Sequence, residues 1–473
     1  MSGDSLRAGP EPNLMYTLLQ NLLRGRLFND GPVQIGIVGA GKFGTGLAIQ
    51  LAAIDGINVG GVADLEPRHA RHAWTAAGVP DDAVWEVESA SGVDDCIRNG
   101  QPCVLADGEE LARSELIELV VDATGSPLAG ALIATTAIEH GKHVVMVNVE
   151  ADTTIGSILR RRADSKGLVY TLVDGDQPGA IMNLVNWARL LGFEVVAAGR
   201  GTIMHADDRV GTPDTVQERF GFTDEQMARR TINTRMYNSF RDGTKAQVEM
   251  TALANMTGLV PDVRGMHERA VDREQIPAVY CGRAAGGILD REGVVELANS
   301  VDPETGEPLP NGLGMGVFAV FRAEHGYVQE DLLDYMGFCG GNGDTFLLWR
   351  PYHLVAVTAP LTIMRAVLMG EATGKPAPLP VADVITVAKT DLKAGTELDG
   401  GGGYTVVGLS ERADVAAAQG LLPLGLCAGA RLRRPVARGA AIARQDVDMP
   451  PPTLLHRLRA EQDRRSGLQG NLP

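Results

Sequence analysis

The pattern of apolar positions near the start of the chain predicts a strand, a helix and a second strand. One apolar run covers residues 33–38 and another covers residues 57–63. Between them, apolar side chains recur every three or four residues on one helix face, at Phe43, Leu47, Leu51 and Ile54. Short runs that are apolar throughout are typical of strands buried on both faces of a parallel sheet. The order strand, helix, strand therefore predicts the first unit of an α/β fold.

Two further apolar runs continue this pattern. Residues 119–121 are apolar, residues 143–147 are apolar after His143, and the segments that follow them contain Thr124, Gly125 and Asn148. Ligands of open α/β sheets sit outside the carboxyl ends of the strands, so we expect these three residues to border a ligand. All three residue types also form turns, which leaves a purely structural role open.

The turn after the first strand is rich in glycine. It has the pattern Gly39-x-Gly41-x-x-Gly44 and includes Lys42 and Phe43. Such a turn lets the backbone approach a pyrophosphate, and the N–H groups at the start of the following helix face the phosphates. Asp64 lies at about the 20-residue spacing at which an acid binds the ribose hydroxyls. The turn therefore predicts a dinucleotide site, with a glycine turn in an unrelated α/β domain as the alternative.

The choice between NAD and NADP stays open at this point. Asp64 favours the free ribose hydroxyls of NAD, whereas Arg68 and Arg71 would suit the 2′-phosphate of NADP if Asp64 turned away. The predicted cofactor-binding residues are Gly39, Gly41, Lys42, Phe43, Gly44, Asp64, Thr124, Gly125 and Asn148.

Less regular elements follow and divide the rest of the chain. Residues 193–198 and 315–321 predict strands, residues 245–256 predict a helix, and a Pro-rich stretch at 374–380 marks a boundary. We predict an α/β protein with a Rossmann-type parallel sheet, an α+β substrate and oligomerisation domain, and a small β-rich C-terminal domain. The predicted bounds are a helical extension at 1–30, a dinucleotide-binding domain at 31–150, a catalytic domain at 151–380, a β-rich domain at 381–449 and a tail at 450–473. We expect that tail to be flexible or docked on a partner.

Composition narrows the class of partner. The formal net charge of −16 opposes binding to nucleic acid or to an anionic membrane as the main task. The five cysteines form no C-x-x-C pair and suit reduced thiols in a cytoplasm. No apolar run is long enough to predict a membrane span. A leucine-rich helix at 14–23 favours a docking or homo-oligomer contact, and we expect a cytoplasmic protein that binds a small-molecule substrate.

Several longer stretches carry a resemblance to a known family. They are Gly39–Gly44, residues 141–152, residues 175–178, residues 212–216, residues 238–245 and residues 350–353. Over about residues 31–449 the chain resembles the homoserine-dehydrogenase-like oxidoreductases with a C-terminal SAF domain, a group that includes the deoxyxylulose-phosphate reductoisomerase-like enzymes. The SAF resemblance covers residues 383–449. The resemblance implies an NAD(P)-dependent oxidoreductase.

The chain departs from the homoserine dehydrogenases at two places. That family has a lysine just after the asparagine that corresponds to Asn148, and this chain has Val149 there. The family's helix also carries an acid followed four residues later by a lysine, whereas Lys245 and Glu249 stand in the reverse order. One helical turn separates the two, so they still share a face. These departures imply a substrate other than homoserine or aspartate semialdehyde.

A second comparison implies roles for two carboxylates. In the reductoisomerases an asparagine-and-acid turn precedes an Asp-x-acid pair that binds a divalent metal, and the corresponding residues look like Asn148-Val-Glu150 and Asp174-Gly-Asp176. Glu150 and Asp176 are therefore catalytic candidates. Oxygen ligands suit Mg²⁺, so a divalent metal is an alternative. A turn whose aspartate only orients backbone N–H groups explains the second motif equally well, and we predict no metal ligands.

Lys245 is the predicted catalytic lysine. Reduction of a carbonyl needs a group that protonates or polarises the forming alkoxide, and Lys245 opens an apolar helix just after a polar turn. We expect Asp242 to orient Lys245 and Asn238, in the same segment, to bind substrate. The alternative is a surface pair between Lys245 and Glu249.

Three further residues are predicted to bind substrate. Arg200 follows a strand between two glycines, and Arg350 begins the sequence Arg350-Pro-Tyr-His353. Both would suit a phosphate or carboxylate because the guanidinium group is a planar fork. His353 would serve as an acid or base. Structural ion pairs for the arginines and a hydrogen-bonded core position for His353 are the alternatives.

These residues together predict an NAD(P)-dependent oxidoreductase that acts on a small polar carbonyl or polyol, such as a sugar phosphate or sugar acid. A coupled rearrangement of the carbon skeleton would make it a reductoisomerase. A dehydrogenase of a hydroxy acid or semialdehyde is a second reading. A third is an inactive dinucleotide-bound sensor that uses its C-terminal domain to bind a ligand or partner.

Overall fold

A parallel sheet forms the first unit of the protein. The computed structural model describes residues 14–229 and 232–468. Its first sheet contains β1 (Val33–Val38), β2 (Ile57–Ala63), β3 (Trp85–Glu86), β4 (Cys103–Leu105), β5 (Leu119–Asp122), β6 (His143–Met146) and β7 (Tyr170–Leu172). The strands are all parallel, in the order β3-β4-β2-β1-β5-β6-β7. Because β1 lies between β2 and β5, the strand order reverses there, and a crevice opens at the carboxyl ends of β1 and β5.

Helices cover the parallel sheet. They are α1 (Leu14–Asp30), α2 (Lys42–Leu51), α3 (Pro67–Ala76), α4 (Ala90–Arg98), α5 (Gly108–Arg113), α6 (Pro127–Glu139) and α7 (Val149–Asp164). The strands are apolar on both faces, so each face packs into its own buried cluster with the neighbouring helices. In α1, Leu19 and Leu23 are buried. Leu23 belongs to the cluster on one face of the sheet that also contains Ile35 and Ile37 of β1. The leucine face of α1 is thus used within the chain, and it gives no support to the predicted oligomer.

A mixed sheet forms the second unit. Its elements are α8 (Gln177–Leu190), β8 (Glu194–Thr202), α9 (Val216–Phe220), α10 (Asp224–Arg229), α11 (Thr234–Arg241), α12 (Thr244–Thr257), β9 (Val260–Pro261), β10 (Arg269–Ala270), α13 (Ile276–Val279), β11 (Val294–Asn299), β12 (Val317–Arg322), α14 (Gly326–Glu330), β13 (Thr345–Arg350) and α15 (Ala359–Met364). The strand order is β10-β11-β8-β12-β13, with β9 beside β11. Strand β8 pairs with β11 in parallel and with β12 antiparallel.

The C-terminal segment is a set of short strands packed on α12. It contains β14 (Ala382–Ala388), β15 (Val406–Arg412), α16 (Ala413–Ala418), β16 (Arg431–Leu432), β17 (Val447–Asp448) and α17 (Leu454–Ser466). Helix α12 contacts β14 and β15 on one side and β8 and β11 on another. Side chains join the two parts, since Thr251 Oγ1 donates to Ser410 Oγ at 2.7 Å. The helix that carries Lys245 is therefore enclosed by both the second unit and the C-terminal segment.

The predicted fold class is confirmed: a Rossmann-type parallel sheet is followed by a mixed α+β unit and a small β-rich segment. The predicted domain bounds and the SAF resemblance stay predictions. The flexible or partner-docked tail was wrong for residues 454–466, because α17 packs on α6 and α7 of the same chain. Leu455 and Leu458 of this helix are buried. Among the described residues, no helix is long and apolar enough to cross a membrane.

Candidate active site

The glycine turn after β1 forms an open cradle. Gly39 has a φ of +95°, and a Cβ there would lie 2.7 Å from the backbone of Ala123, the residue after β5. A Cβ on Gly44 would lie 1.9 Å from the carbonyl oxygen of Gly39, so only glycine lets α2 pack this close. A Cβ on Gly41 would meet nothing within 4 Å. No side chain caps the start of α2 at Gly41, so its N–H groups are available to a phosphate.

Asp64 lies beside this turn at the end of β2. Its Oδ2 accepts a hydrogen bond from Ala40 N at 2.8 Å and its Oδ1 accepts one from Glu66 N at 3.0 Å. Arg71 is held away from this position by the carbonyl oxygens of Asp81 and Val84, at 2.9 and 3.0 Å. Arg68 is exposed and pairs with Glu66. Of Asp64, Arg68 and Arg71, Asp64 thus has the charged group that lies nearest the glycine turn. This position is the one expected for an acid that binds the ribose.

A buried polar network lies at the ends of β5 and β6. Asp122 Oδ1 accepts hydrogen bonds from Thr124 N and Oγ1, at 3.0 and 2.7 Å. Asn148 Nδ2 donates to Asp122 Oδ2 and to Thr124 Oγ1, at 3.2 and 3.1 Å. Burial raises the pKa of Asp122 to about 6, although these hydrogen bonds lower it. Asp122 was not among the predicted site residues, and the signal that would have found it is an acid that ends an otherwise apolar strand.

Lys245 points at the first turn of α7. Its Nζ lies 2.8 Å from Oε1 of Glu150, which is two residues after the helix cap Asn148. Burial alone would lower the pKa of Lys245, but the charges of Glu150, Asp176 and Glu249 raise it above its ordinary value. The lysine is therefore an ammonium group at neutral pH, held where the parallel sheet meets the second unit.

Glu249, one turn after Lys245, forms a buried ion pair with Arg200. The side chains of Arg200 and Glu249 are 4% and 1% exposed, so the pair is desolvated. Burial raises the pKa of Glu249 to about 7, and the charge of Arg200 lowers it. The predicted substrate-binding Arg200 is thus committed to Glu249. The structural ion pair was the alternative given for this arginine.

Gln177 connects this pair to its neighbours. Its amide oxygen faces Arg200 Nη1 at 3.1 Å and its amide nitrogen faces Asp176 Oδ1 at 3.0 Å and Glu249 Oε1 at 3.3 Å. The same amide lies 3.2 Å from Nε2 of His353. Gln177 was not predicted as a site residue, although it stands in the quoted segment 175–178. It bridges all four of these side chains, so it sets their relative positions.

His353 lies on a loop that reaches the glycine turn. Its Nδ1 is 3.2 Å from the carbonyl oxygen of Met315. Burial and the charge of Arg200 lower the pKa of His353, and Lys42 of the glycine turn adds to the effect. The imidazole is therefore neutral near pH 7. Further along this loop, Ala356 packs on Gly46 of α2, so the second unit is held directly against the cofactor cradle.

Three predicted residues lie outside this cluster. Asp242 does not orient Lys245: its Oδ2 accepts a hydrogen bond from Lys389 Nζ at 2.8 Å, and its Oδ1 accepts one from Thr244 N at 2.9 Å. Asn238 Nδ2 donates to the carbonyl oxygens of Gly211 and Gly402, at 3.1 and 3.0 Å. The guanidinium of Arg350 stacks 5.3 Å from the Tyr352 ring centroid. Asp242 and Asn238 therefore have structural partners, because the C-terminal segment covers this turn.

Asp174 and Asp176 were the pair considered above as metal ligands. Asp174 turns away from Asp176, since it accepts hydrogen bonds from Asn183 Nδ2 at 2.9 Å and Thr358 Oγ1 at 3.2 Å. In the part of the chain that the structure describes, no three His, Cys, Asp or Glu side chains converge as metal ligands. The side chain of Asp174 is thus engaged by Asn183 and Thr358, and we derive no step through a metal.

A dinucleotide cradle that faces a buried lysine, carboxylates and a neutral histidine defines the class of this protein, an NAD(P)-dependent oxidoreductase. Residues 175–359 match the family model described as oxidoreductase DRL, catalytic domain. The matched segment contains Asp176, Gln177, Arg200, Lys245, Glu249 and His353.

Searches of other proteins give distant matches. No curated protein matches the chain significantly. An NAD-binding oxidoreductase from Klebsiella pneumoniae is 15% identical with a TM-score of 0.28, and the match covers 38% of this chain and 45% of that one. A myo-inositol dehydrogenase from Corynebacterium glutamicum is 12% identical with a TM-score of 0.38, covering 72% and 89%. The 1-deoxy-D-xylulose 5-phosphate reductoisomerase from Zymomonas mobilis, solved with NADPH, is 14% identical with a TM-score of 0.32, covering 47% and 58%.

Proposed function

We propose that the protein reduces the carbonyl group of a small, hydroxylated substrate with NAD(P)H, and that Lys245 binds the carbonyl oxygen. The contact between Lys245 and Glu150 carries this proposal. Glu150 lies in the first turn of α7, next to Asn148, and Asn148 contacts Thr124 at the end of β5. Those two residues are at the strand ends that we expect to border the nicotinamide.

Lys245 supplies the charge that carbonyl reduction needs. When bound, NAD(P)H would supply a hydride for the carbonyl carbon. The ammonium group of Lys245 donates a hydrogen bond to the carbonyl oxygen and stabilises the negative charge that develops there. A proton from Nζ then converts the alkoxide to an alcohol. Glu150 holds Nζ in place, and its Oε2 is buried without a hydrogen-bond partner among the described residues, so it is free to accept a hydrogen bond from substrate.

Arg200, Glu249, Gln177 and His353 form the frame around that lysine. The buried ion pair fixes the face of α12 that carries Lys245, and Gln177 ties the pair to the Asp176 turn. We therefore assign Arg200 and Glu249 as positioning residues. Neutral His353 is close enough to Lys42 for the charge of the lysine to lower its pKa, and the loop that carries His353 packs on α2 through Ala356.

The cellular location and the oligomeric state predicted from the sequence are also part of the proposal. We infer a cytoplasmic enzyme, in keeping with its free cysteines. We also retain a homo-oligomer, which light scattering of the purified chain tests directly. A monomeric mass would remove the oligomer without affecting the proposed reaction.

Replacing Lys245 tests the reaction. We expect Lys245→Met to lower kcat at least ~100-fold on any carbonyl substrate that the wild type reduces, because the general acid and the oxyanion partner are both lost. Cofactor affinity, measured by fluorescence titration of NADH and NADPH, should change little. Lys375→Met is a matched control, since Lys375 pairs with Asp164 on the surface.

The result separates the enzyme from the sensor. Normal turnover in Lys245→Met would remove this lysine from the mechanism. Tight cofactor binding by the wild type without turnover across carbonyl substrates of three to six carbons would contradict the proposed function and favour a dinucleotide-bound sensor.

A further inference from the structure

A cavity of about 300 Å³ lies at the carboxyl ends of β8 and β11, beside the candidate active site. Its lining includes His205, Arg209, Glu268 and Asn299. These residues come from the segments after β8, before β10 and at the end of β11. The carbonyl reduction proposed for Lys245 uses none of these residues, so that reaction gives the cavity no role.

Polar atoms in and beside this cavity are buried without partners. Arg209 Nη2 donates to Glu268 Oε2 at 2.6 Å, and the Glu268 side chain is 9% exposed. The second oxygen of Glu268, the Nη1 of Arg209 and the hydroxyl of Thr202 are buried without a hydrogen-bond partner among the residues described. A buried donor or acceptor left unpaired is costly, so such atoms normally find a partner. Glu268 therefore offers an acceptor to a ligand, Arg209 offers a donor, and the hydroxyl of Thr202 can act as either.

The backbone that carries Glu268 is strained. Met266 and Glu268 have φ values of +65° and +45°, although neither is a glycine. Left-handed conformations of residues with a Cβ persist only where the surroundings impose them, and they concentrate at ligand sites. Here the strained segment turns the carboxylate of Glu268 toward Arg209 and the cavity.

The cavity adjoins the segment that precedes Lys245. Arg200 and Thr202 are two residues apart on β8, so they share a face and lie about 7 Å apart along the strand. Gly243, two residues before Lys245, lies against two residues of the lining, since a Cβ there would be 2.8 Å from Met204 Cε and 3.4 Å from Arg209 Nη1.

We propose that this cavity is a subsite for the hydroxyl groups of a neutral polyol chain, the part of the substrate that lies away from the carbonyl. The assignment rests on the proposed function. Each hydroxyl group both donates and accepts, which matches the free oxygen of Glu268 and the free N–H of Arg209. The charge of Arg209 is already offset by Glu268, and Asp302 adds a further negative group to the lining, so an uncharged chain is favoured over a terminal phosphate or carboxylate.

Binding of xylitol to the full-length protein tests this subsite without turnover. Saturation-transfer NMR and calorimetry should detect saturable xylitol binding, and pentane-1,5-diol, which lacks the inner hydroxyls, should bind at least tenfold more weakly. Glu268→Gln should weaken xylitol binding at least tenfold. Thr202→Val, which keeps the shape of the side chain, should weaken xylitol binding severalfold. This second variant keeps the test valid if Glu268→Gln fails to fold. Glu330→Gln, at an exposed glutamate, is the matched control.

Three results would overturn the subsite: no saturable xylitol binding by the wild type, binding that both variants leave unchanged, or displacement of xylitol by inorganic phosphate at lower concentration. Turnover assays distinguish this failure from that of the proposed function. Carbonyl reduction without xylitol binding contradicts the subsite alone, whereas xylitol binding without any carbonyl reduction contradicts the proposed reaction.

Discussion

Lys245 and Glu249 lie one helical turn apart on α12, and each has its own partner. Lys245 contacts Glu150 of the parallel sheet unit, and Glu249 contacts Arg200 of the mixed sheet. Their shared helix face followed from their spacing in the sequence, because residues four apart lie above one another. Their partners did not follow from it, because Glu150 and Arg200 reach α12 only through the packing of the two units.

The ionisation of Glu249 should appear in the pH profile. Burial raises its pKa to about 7, so below that pH the carboxyl is protonated and the Arg200 pair weakens. We expect kcat/KM of the wild type to fall as the pH decreases through about 7, because kcat/KM reports groups of the free enzyme. Glu249→Gln should lower activity and remove this inflection. An unchanged inflection in Glu249→Gln, alongside a normal profile for the Glu330→Gln control, would contradict the assignment.

The position of Asp64 makes a prediction about the cofactor. Its carboxylate is fixed by Ala40 N and Glu66 N at the end of β2, where it would repel a 2′-phosphate. We expect Asp64→Ser to shift the ratio of kcat/KM toward NADP over NAD by about tenfold or more, roughly 1.4 kcal/mol. Asp55→Ser, at an acid away from this turn, should leave the ratio unchanged. A shift toward NAD in Asp64→Ser would place the ribose elsewhere.

At the scale of elements, four strands of the first sheet and its first connecting helix could be predicted, whereas the short strands β3, β4 and β7 were not. Residues 33–38 and 57–63 were read as strands from their apolar runs, and the structure has Val33–Val38 and Ile57–Ala63. The helix expected at 245–256 is Thr244–Thr257, between two glycines with positive φ. Local periodicity and glycine ends determine these elements, so the sequence contains enough information for them.

The C-terminal helix could not be placed from its sequence. Its charged composition was typical of an exposed tail, yet Arg459 is buried between Asp383 of β14 and Asp463 of the same helix. Arg459 Nη1 also lies 3.4 Å from the carbonyl oxygen of Thr154 in α7. A buried arginine is stable only with such partners, and periodicity within one helix carries no information about partners on other elements.

Arg459 should matter for stability. We expect Arg459→Met to lower the free energy of unfolding by about 3 kcal/mol or more, because Asp383 and Asp463 would lose their shared cation. Urea denaturation followed by circular dichroism measures this change. Arg457→Met, at an exposed position two residues earlier on α17, should change stability by less than about 0.5 kcal/mol. Equal effects of the two variants would contradict the role of the buried pair.

At the scale of the whole molecule, the misassigned residues share one cause. Asp242 was read as catalytic and Asn238 as substrate-binding from their place beside Lys245, but the C-terminal segment covers both side chains. Lys389, which neutralises Asp242, lies 147 residues further along the chain. Sequence spacing predicts neighbours on one helix or strand, whereas contacts between distant segments depend on how complete units pack.

Lys389 links the C-terminal segment to the start of α12. Its Nζ donates to Asp242 Oδ2, to Gly403 O at 2.6 Å and to Gly211 O at 2.9 Å. Lys389 and Asp242 are both 0% exposed. We expect Lys389→Met to destabilise the protein by about 3–5 kcal/mol and to lower activity, because Asp242 would remain buried without its cation.

The double variant Lys389→Met with Asp242→Asn removes the unpaired charge and should recover part of this loss, which denaturation of both variants measures. Lys393→Met, at an exposed site nearby, serves as control. A double variant no more stable than Lys389→Met alone would contradict the pairing.

The buried pair between Asp242 and Lys389 also has a consequence for synthesis. Asp242 leaves the ribosome 147 residues before its counter-ion, a delay of roughly 7 to 30 seconds at ordinary rates of translation. During that interval the turn before Lys245 lacks its contacts with Lys389 and Gly402. The nascent chain can form its cofactor domain early, but its reaction centre is completed only when the last part of the protein has been made.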